Sequence, residues 1–401
     1  NGGTFSIAGT TVGASIKSLA AYLGGGSVVL GGKSLSMTAQ SDEPFSSPVT
    51  FVGSTSGVDA LSIALASFSQ NFSLANATFT TWTAGSDTIT ISGNTLANTI
   101  TGSVQNDSIV GNNGNDTLFG GSGDDQLRGN LDNDRLVGGG GNDFLYGGYG
   151  ADVHEGGTGI DHARYDESNY GNLRVSLANA AINTGVAAGD TYNSIEGLIL
   201  GLGNDTVYGN SGQNWLRGGG GMDSIFGGDH SDVIYGGNDA DTLNGQVGRD
   251  TLYGDAGNDT LNGGLHRDVM TGGADADHFV FSTASEAGNG TVGNQARDLI
   301  TDFVAGIDKI DVRGIDAFTG SAAGLGLQAF TTLLLPGAGN VATAFTAVQQ
   351  LRYYWLGQDT GTTADDATII EGNTSGGLNS TPEFQIELTG HKTLVLGDFV
   401  L

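Results

Sequence analysis

The chain has 401 residues, with 71 glycines and no cysteine, and 43 acidic against 14 basic side chains give a formal net charge of −29. That composition excludes disulfides, thiolate chemistry and cysteine-based zinc sites, and the missing basic surface argues against nucleic acid as a partner. No apolar run is long enough for a membrane-crossing helix.

Residues 1–92 are rich in Ser, Thr and Gly and carry little charge. Ile16, Leu19, Ala20 and Leu23, followed by Gly24, are spaced for one short helix with a glycine stop. Val58, Leu61, Leu65 and Phe68 fit a second helix, yet Leu61, Ile63 and Leu65 also alternate as in a strand, and the pattern leaves both readings open. Residues 79–83 and 88–91 read as strands. The whole segment is an N-terminal α+β or all-β cap, or the remnant of a larger domain. A chain opening on Asn1 fits a processed product or part of a longer protein.

A nine-residue phrase, G-G-x-G-x-D-x-U-x with U large and apolar, then repeats in register over 93–164 and again over 200–280. Position 6 is Asp107, Asp116, Asp125, Asp134, Asp143, Asp152 and Asp161 in the first block. In the second it is Asp205, Asp223, Asp232, Asp241, Asp250, Asp259, Asp268 and Asp277; only Asn98 and Asn214 depart. Position 8 carries residues such as Ile109, Leu118, Leu127, Leu243 and Met270. The triplet x-U-x makes a short strand with U inward, because side chains alternate along a strand. The remaining six residues make a tight turn. Glycine suits it because the turn needs positive φ and lets bare carbonyls approach an ion. Where position 4 is not glycine it is often Asp132, Asp239, Asp275, His230 or His266, residue types that tolerate left-handed φ.

Two units make a coil of 18 residues, so position-6 aspartates stack at the ~4.8 Å spacing of neighbouring strands. Carboxylates so placed repel one another, and a hard cation held by carboxylate and carbonyl oxygens relieves the repulsion. Ca²⁺ suits such flexible all-oxygen sites better than Mg²⁺. The candidate ligands are the position-6 aspartates together with Gly111, Gly114, Gly120, Gly123, Gly138, Gly141, Gly218, Gly220, Gly227, Gly236, Gly254 and Gly257. Roughly ten ions are expected, each adding stability by linkage. One apolar side chain per nine residues does not offset the entropy of ordering them, so the chain is expected to fold only with calcium.

Residues 165–199 interrupt the phrase. They read as a pair of wider rungs, or as a partner-binding bulge displaying Tyr165, Tyr170 and Arg174. Residues 281–401 return to ordinary β patterning, with Tyr353, Tyr354 and Trp355 read as core or docking surface rather than a ligand site.

The repeats resemble those of the RTX (repeats-in-toxin) family of calcium-binding proteins. Residues 298–303, 306–311, 350–353 and 384–390 resemble strands of a serralysin-type C-terminal domain, and Asp398, Phe399, Val400 and Leu401 are similar to the end of a type I secretion signal. The family often carries an aspartate-rich loop before the strand at 384–388, but residues 373–383 here lack aspartate. The resemblance implies an all-β chain built on a right-handed parallel β-roll solenoid with a C-terminal β domain. It also implies export through a type I secretion apparatus and an extracellular or cell-surface location.

Catalytic signatures are missing: there is no H-E-x-x-H and no G-x-S-x-G. His154 falls at inward position 8 and His162 at outward position 7; a core histidine is the plain reading and a zinc pair the sharper one. Two functions stay open. One is a non-enzymatic surface-layer, adhesin or matrix component, meeting copies of itself in a lattice or filament or a cell-surface glycan. The other is the calcium-binding, secretion-competent C-terminal part of an extracellular hydrolase or polysaccharide-modifying enzyme.

Overall fold

The computed structural model describes residues 58–67, 69–83, 86–282 and 297–315. It also describes shorter stretches at 4–6, 11–15, 27–29, 34–39, 50–53, 332–334, 350–356, 367–373 and 384–400. Strands make up nearly all the regular structure, with three short 3-10 turns and no α-helix among the described residues. The chain divides into two compact units, 1–199 and 200–401.

In the first unit the repeats form two parallel ladders. In one, Asp107–Asn113, Gln126–Leu131, Phe144–Tyr149 and His162–Arg164 follow one another; in the other, Thr99–Thr101, Thr117–Ser122, Arg135–Gly140 and Val153–Thr158 do. The register puts Ile109 on Leu127 and Leu118 on Leu136, so each residue meets its counterpart one coil later. Position 8 is the core: Ile100, Ile109, Leu118, Leu127, Leu136 and Leu145 are fully buried. Burying one such side chain on both sides of each coil is worth ~1.5–3 kcal/mol apiece.

The stack extends beyond the nonapeptides. Ala60–Leu65 pairs in parallel with Thr88–Ser92, and Phe72 lies beside Ile100, which heads the column of inward residues. Leu61, Ile63 and Leu65 are therefore buried strand residues, and the alternation in the sequence wins over the helical spacing. The N-terminal strands are longer coils of the same parallel stack, with 28 residues between partners such as Asn71 and Thr99. The helix expected at 16–24 and Phe68 lie outside the described residues.

The interruption at 165–199 makes two wider rungs: Thr191–Asn193 joins Val153–Thr158, and Gly197–Ile199 joins His162–Arg164, both in parallel. Tyr165 is only 2 % exposed, so it belongs to the core and is not displayed. Tyr170 packs edge-on against Tyr149, and Arg174 is exposed.

The second unit repeats the scheme. Trp215–Gly220, Val233–Asn238, Thr251–Ala256 and Val269–Ala274 form one ladder, and Thr206–Tyr208, Ser224–Asp229, Thr242–Val247, Thr260–Asn262 and His278–Val280 the other. The strands that resemble a serralysin-type domain extend both. Asp298–Ile300 pairs with Val269–Ala274, and Phe399–Val400 pairs with Lys309–Asp311, which itself pairs with His278–Val280. Direction reverses at Ala367–Asn373, antiparallel to both Gln350–Leu356 and Phe384–Thr389. Tyr353 is buried there. The side chains of Tyr354 and Trp355, and the loop residues 374–383, lie outside the described residues.

A ladder of buried carboxylates with one open oxygen

Each nonapeptide turn holds its aspartate in the same way. The Asp107 N–H donates to Asp125 Oδ1 at 2.7 Å, the Asp125 N–H to Asp143 Oδ1 at 2.8 Å, and the Asp143 N–H to Asp161 Oδ1 at 2.8 Å, each step spanning 18 residues. The opposite side of the first unit runs from Asp116 through Asp134 to Asp152. In the second unit Asp205, Asp223, Asp241, Asp259 and Asp277 form one column, and Asp232, Asp250 and Asp268 another. All are 0–3 % exposed. The columns run on through residues that the nonapeptide pattern misses: Asp190 accepts from the Asp152 N–H, Asp298 from Asp268 and Asp308 from Asp277. Only the folded chain brings these into line, across coils of 30, 31 and 38 residues.

The second carboxylate oxygen has no protein partner in Asp116, Asp125, Asp134, Asp143, Asp152, Asp161, Asp223, Asp232, Asp241, Asp250 and Asp259, although it is buried. Buried carboxylates are normally paired or bound to a metal. In Asp107 the same question falls on Oδ1, because Oδ2 accepts from the Ser103 N–H and hydroxyl. Burial drives these carboxyls up: Asp125 to about 9, Asp134 and Asp241 to about 8, and Asp107, Asp223, Asp232 and Asp277 to about 7. Asp116, Asp143, Asp152, Asp250 and Asp259 rise to about 6. The ladder hydrogen bond opposes the rise at Asp125, Asp134 and Asp241, where neighbouring carboxylates of the column add to it, and hydrogen bonds from Ser103 oppose it at Asp107.

Glycine at position 1 leaves space over the open oxygen. A Cβ on Gly120 would stand 2.2 Å from Asp125 Oδ2 and 2.7 Å from the Gly138 carbonyl oxygen of the next coil. Gly111, Gly138, Gly218, Gly227, Gly236 and Gly254 face Asp116, Asp143, Asp223, Asp232, Asp241 and Asp259 in the same manner, at 2.1–2.4 Å. At Gly227, Gly236 and Gly254 the position-1 carbonyl of the following coil again converges on the same point. A carboxylate oxygen and a bare carbonyl thus share a small buried space that any side chain would fill.

Position 4 needs glycine for its backbone: Gly114, Gly123, Gly141 and Gly257 have φ of 105°, 106°, 128° and 145°. The expected substitutes follow the same rule, with Asp132, His230, Asp239, His266 and Asp275 at φ 68–88°. Gly220 stands at position 3 with the Leu202 side chain nearest, and its neighbour Gly221 takes the left-handed place. Position 5 also has a role that an unassigned x conceals. Asn106 Oδ1 accepts from the Asp124 N–H, Asp124 Oδ1 from Asn142, and Asn142 Oδ1 from Ile160, a second ladder reaching forward where position 6 reaches back. The recurrence of Asn or Asp there was the available signal.

The oxygens fit a hard, oxygen-seeking cation. Among the described residues no group of three or more His, Cys, Asp or Glu side chains is placed to hold a metal; the oxygens beside the open carboxylates are backbone carbonyls such as that of Gly138, a ligand type that Ca²⁺ accepts. His154 is wholly buried beneath Tyr192 and pushed down to about 4 by burial, while His162 packs against Phe144 on the other ladder.

A family model described as the RTX calcium-binding nonapeptide repeat (4 copies) matches residues 92–127, 128–163, 199–229, 208–243, 217–252 and 244–279. The two blocks are RTX repeats. They bind calcium, and the parallel β-roll is the architecture they build here. No curated protein matches the chain. Among solved structures it is similar to the AlgE6R3 subunit from the Azotobacter vinelandii mannuronan C5-epimerase, determined in solution. That match has 28% identity over 43% of this chain and 78% of that chain, with a TM-score of 0.29. No helix among the described residues of the chain is long and apolar enough to cross a membrane.

Proposed function

We propose that calcium at the glycine–aspartate corners drives the folding of this RTX chain outside the cell, where it serves as a structural or surface component. The observation that carries the reading is the row of buried, unpartnered Oδ2 atoms, Asp125 and Asp143 among them, each beside a bare carbonyl or an open glycine. The position-6 aspartates would supply carboxylate oxygens and the position-1 turns carbonyl oxygens. The bound ion supplies the positive charge that such a column otherwise lacks. Millimolar calcium suits weak extracellular sites, and a chain left unfolded at low calcium suits export through a type I apparatus. The acidic side chains described above are committed to the ladders, which favours a structural role for this chain over chemistry on a substrate.

Far-UV circular dichroism of the full chain, with EDTA and with millimolar calcium, tests the reading. Strand signal that appears only with calcium supports it; equal strand content in both conditions sinks it. Light scattering along the same titration reports whether copies assemble into a lattice or filament.

A further inference from the structure

Interior turns of both blocks share one arrangement of positions 2 and 6. Position 2 is left-handed whether it is Gly139 (φ 113°), Asn112 (83°) or Asn130 (80°). Four residues on, Asp143, Asp116 and Asp134 each bury an Oδ2 without a partner. The first turns of the columns depart, with Asn94, Ser103, Gly201 and Asn210 at position 2 all outside the left-handed region, and two of them depart further. In 93–98 and 209–214 position 2 is Asn94 or Asn210, outside the left-handed region, and position 6 is Asn98 or Asn214.

These turns close on themselves. The Asn94 N–H donates to Asn98 Oδ1 at 2.8 Å, and the Asn210 N–H to Asn214 Oδ1 at 2.7 Å. The amide nitrogens are used as well: Asn98 Nδ2 donates to the Ser69 carbonyl at 3.2 Å and Asn214 Nδ2 to Asn210 Oδ1 at 3.3 Å. Each Oδ1 stands over its position-1 glycine, where a Cβ on Gly93 or Gly209 would come within 2.4 or 2.3 Å. Interior turns place the open aspartate oxygen at that same point. Both asparagines remain rungs of the ladder, since their own N–H groups donate to Asp116 and Asp232 Oδ1 at 2.7 Å. They are 2 % and 4 % exposed.

Asparagine at position 2 does not force the closed form, because Asn112 and Asn130 are left-handed. Closure alone does not mark them either, since the Ser103 N–H donates to Asp107 Oδ2 in the same way at 2.6 Å; what sets 93–98 and 209–214 apart is a neutral carboxamide at position 6. It accepts and donates hydrogen bonds, and it carries no buried charge needing compensation. We infer that turns 93–98 and 209–214 bind no calcium and form the metal-free first rungs of two ion columns, with Asn98 and Asn214 in the place of an aspartate and its ion. The inference rests on the reading that calcium occupies the aspartate corners.

The test counts ions on the full calcium-loaded chain by equilibrium dialysis with elemental analysis, for wild type, D134N, N98A and N214A. D134N should lose at least one ion, whereas N98A and N214A should keep the wild-type count while their urea midpoints fall. Anomalous scattering from calcium-loaded wild-type crystals supplies an arm that no misfolded variant can spoil. It should show an ion beside Asp134 and none within either asparagine turn. An ion lost in N98A or N214A, or an anomalous peak in either turn, overturns the inference while leaving calcium at the aspartate corners intact. An unchanged count in D134N together with no peak beside Asp134 removes the columns altogether, and this inference with them.

Discussion

Asp143 Oδ1 accepts the backbone N–H of Asp125 at 2.8 Å, while its Oδ2 has no protein partner in a fully buried position. One carboxylate therefore has two separable parts: an oxygen that ties a coil to its predecessor and a buried oxygen left open, which under the proposed function meets a cation.

Asp143→Ala should remove both. Leaving the buried Asp125 N–H unpaired costs about 1–3 kcal/mol, and losing a site held at ten times its dissociation constant costs about 1.4 kcal/mol more. Asp143→Asn keeps an acceptor and should lose mainly the calcium-dependent part. Urea midpoints with calcium fixed at two concentrations separate the two contributions.

Gly120→Ala places a methyl 2.2 Å from Asp125 Oδ2 and 2.7 Å from the Gly138 carbonyl oxygen. Overpacking should cost about 1–3 kcal/mol and weaken calcium binding at that corner. Gly171→Ala, whose Cβ would meet nothing within 4 Å, carries only the cost of its left-handed backbone, about 1–2 kcal/mol. Isothermal titration should find calcium binding altered in the first variant and unchanged in the second.

The metal-free fold should have an inverted pH dependence. Asp125 rises from 3.8 to about 9 on burial, so without a cation the folded state binds protons more tightly than the unfolded chain. Its contribution favours folding below about pH 4 and is lost as pH rises toward about 9. In EDTA, strand content should therefore be highest in acid and fall toward neutrality. With calcium, protons compete for the same oxygens, so acid should weaken the fold and calcium binding near pH 7 should release protons. Circular dichroism across pH in both conditions, with a pH-stat measurement, checks the signs.

Leu127 is fully buried between Ile109 and Leu145 in its column, whereas Leu131 is 41 % exposed. Leu127→Ala should cost about 2–5 kcal/mol through the cavity it leaves; Leu131→Ala should stay within about 0.5 kcal/mol. Thermal melts in saturating calcium distinguish them.

Much of the site was legible in residue order, because a strict period forces equivalent residues into equivalent places. Inward Leu127, corner Asp125 and the left-handed tolerance of Asp132 and His230 all followed from position within the phrase. Position 5 was less legible, since Asn106 and Asp124 fill a slot that the pattern leaves open. Around Tyr165 the surroundings lack the repeat, so the sequence left open whether the ring belongs to a wider rung or to a displayed bulge. The ring is buried with its hydroxyl on Asp190, and no local pattern announces a contact across 25 residues.

Sequence by itself determined the coil, the inward column and the aspartates at each corner, because these depend on short-range spacing. Tertiary structure alone decided where the columns end and how they continue past the phrase. Asp190, Asp298 and Asp308 enter line only when coils of unequal length stack. Asn98 and Asn214 become rungs only when their N–H groups meet Asp116 and Asp232 one coil later. Parallel stacking aligns backbones whatever the length of the loop between them, so a residue's place in the ladder is set by the strand beside it and not by its distance along the chain.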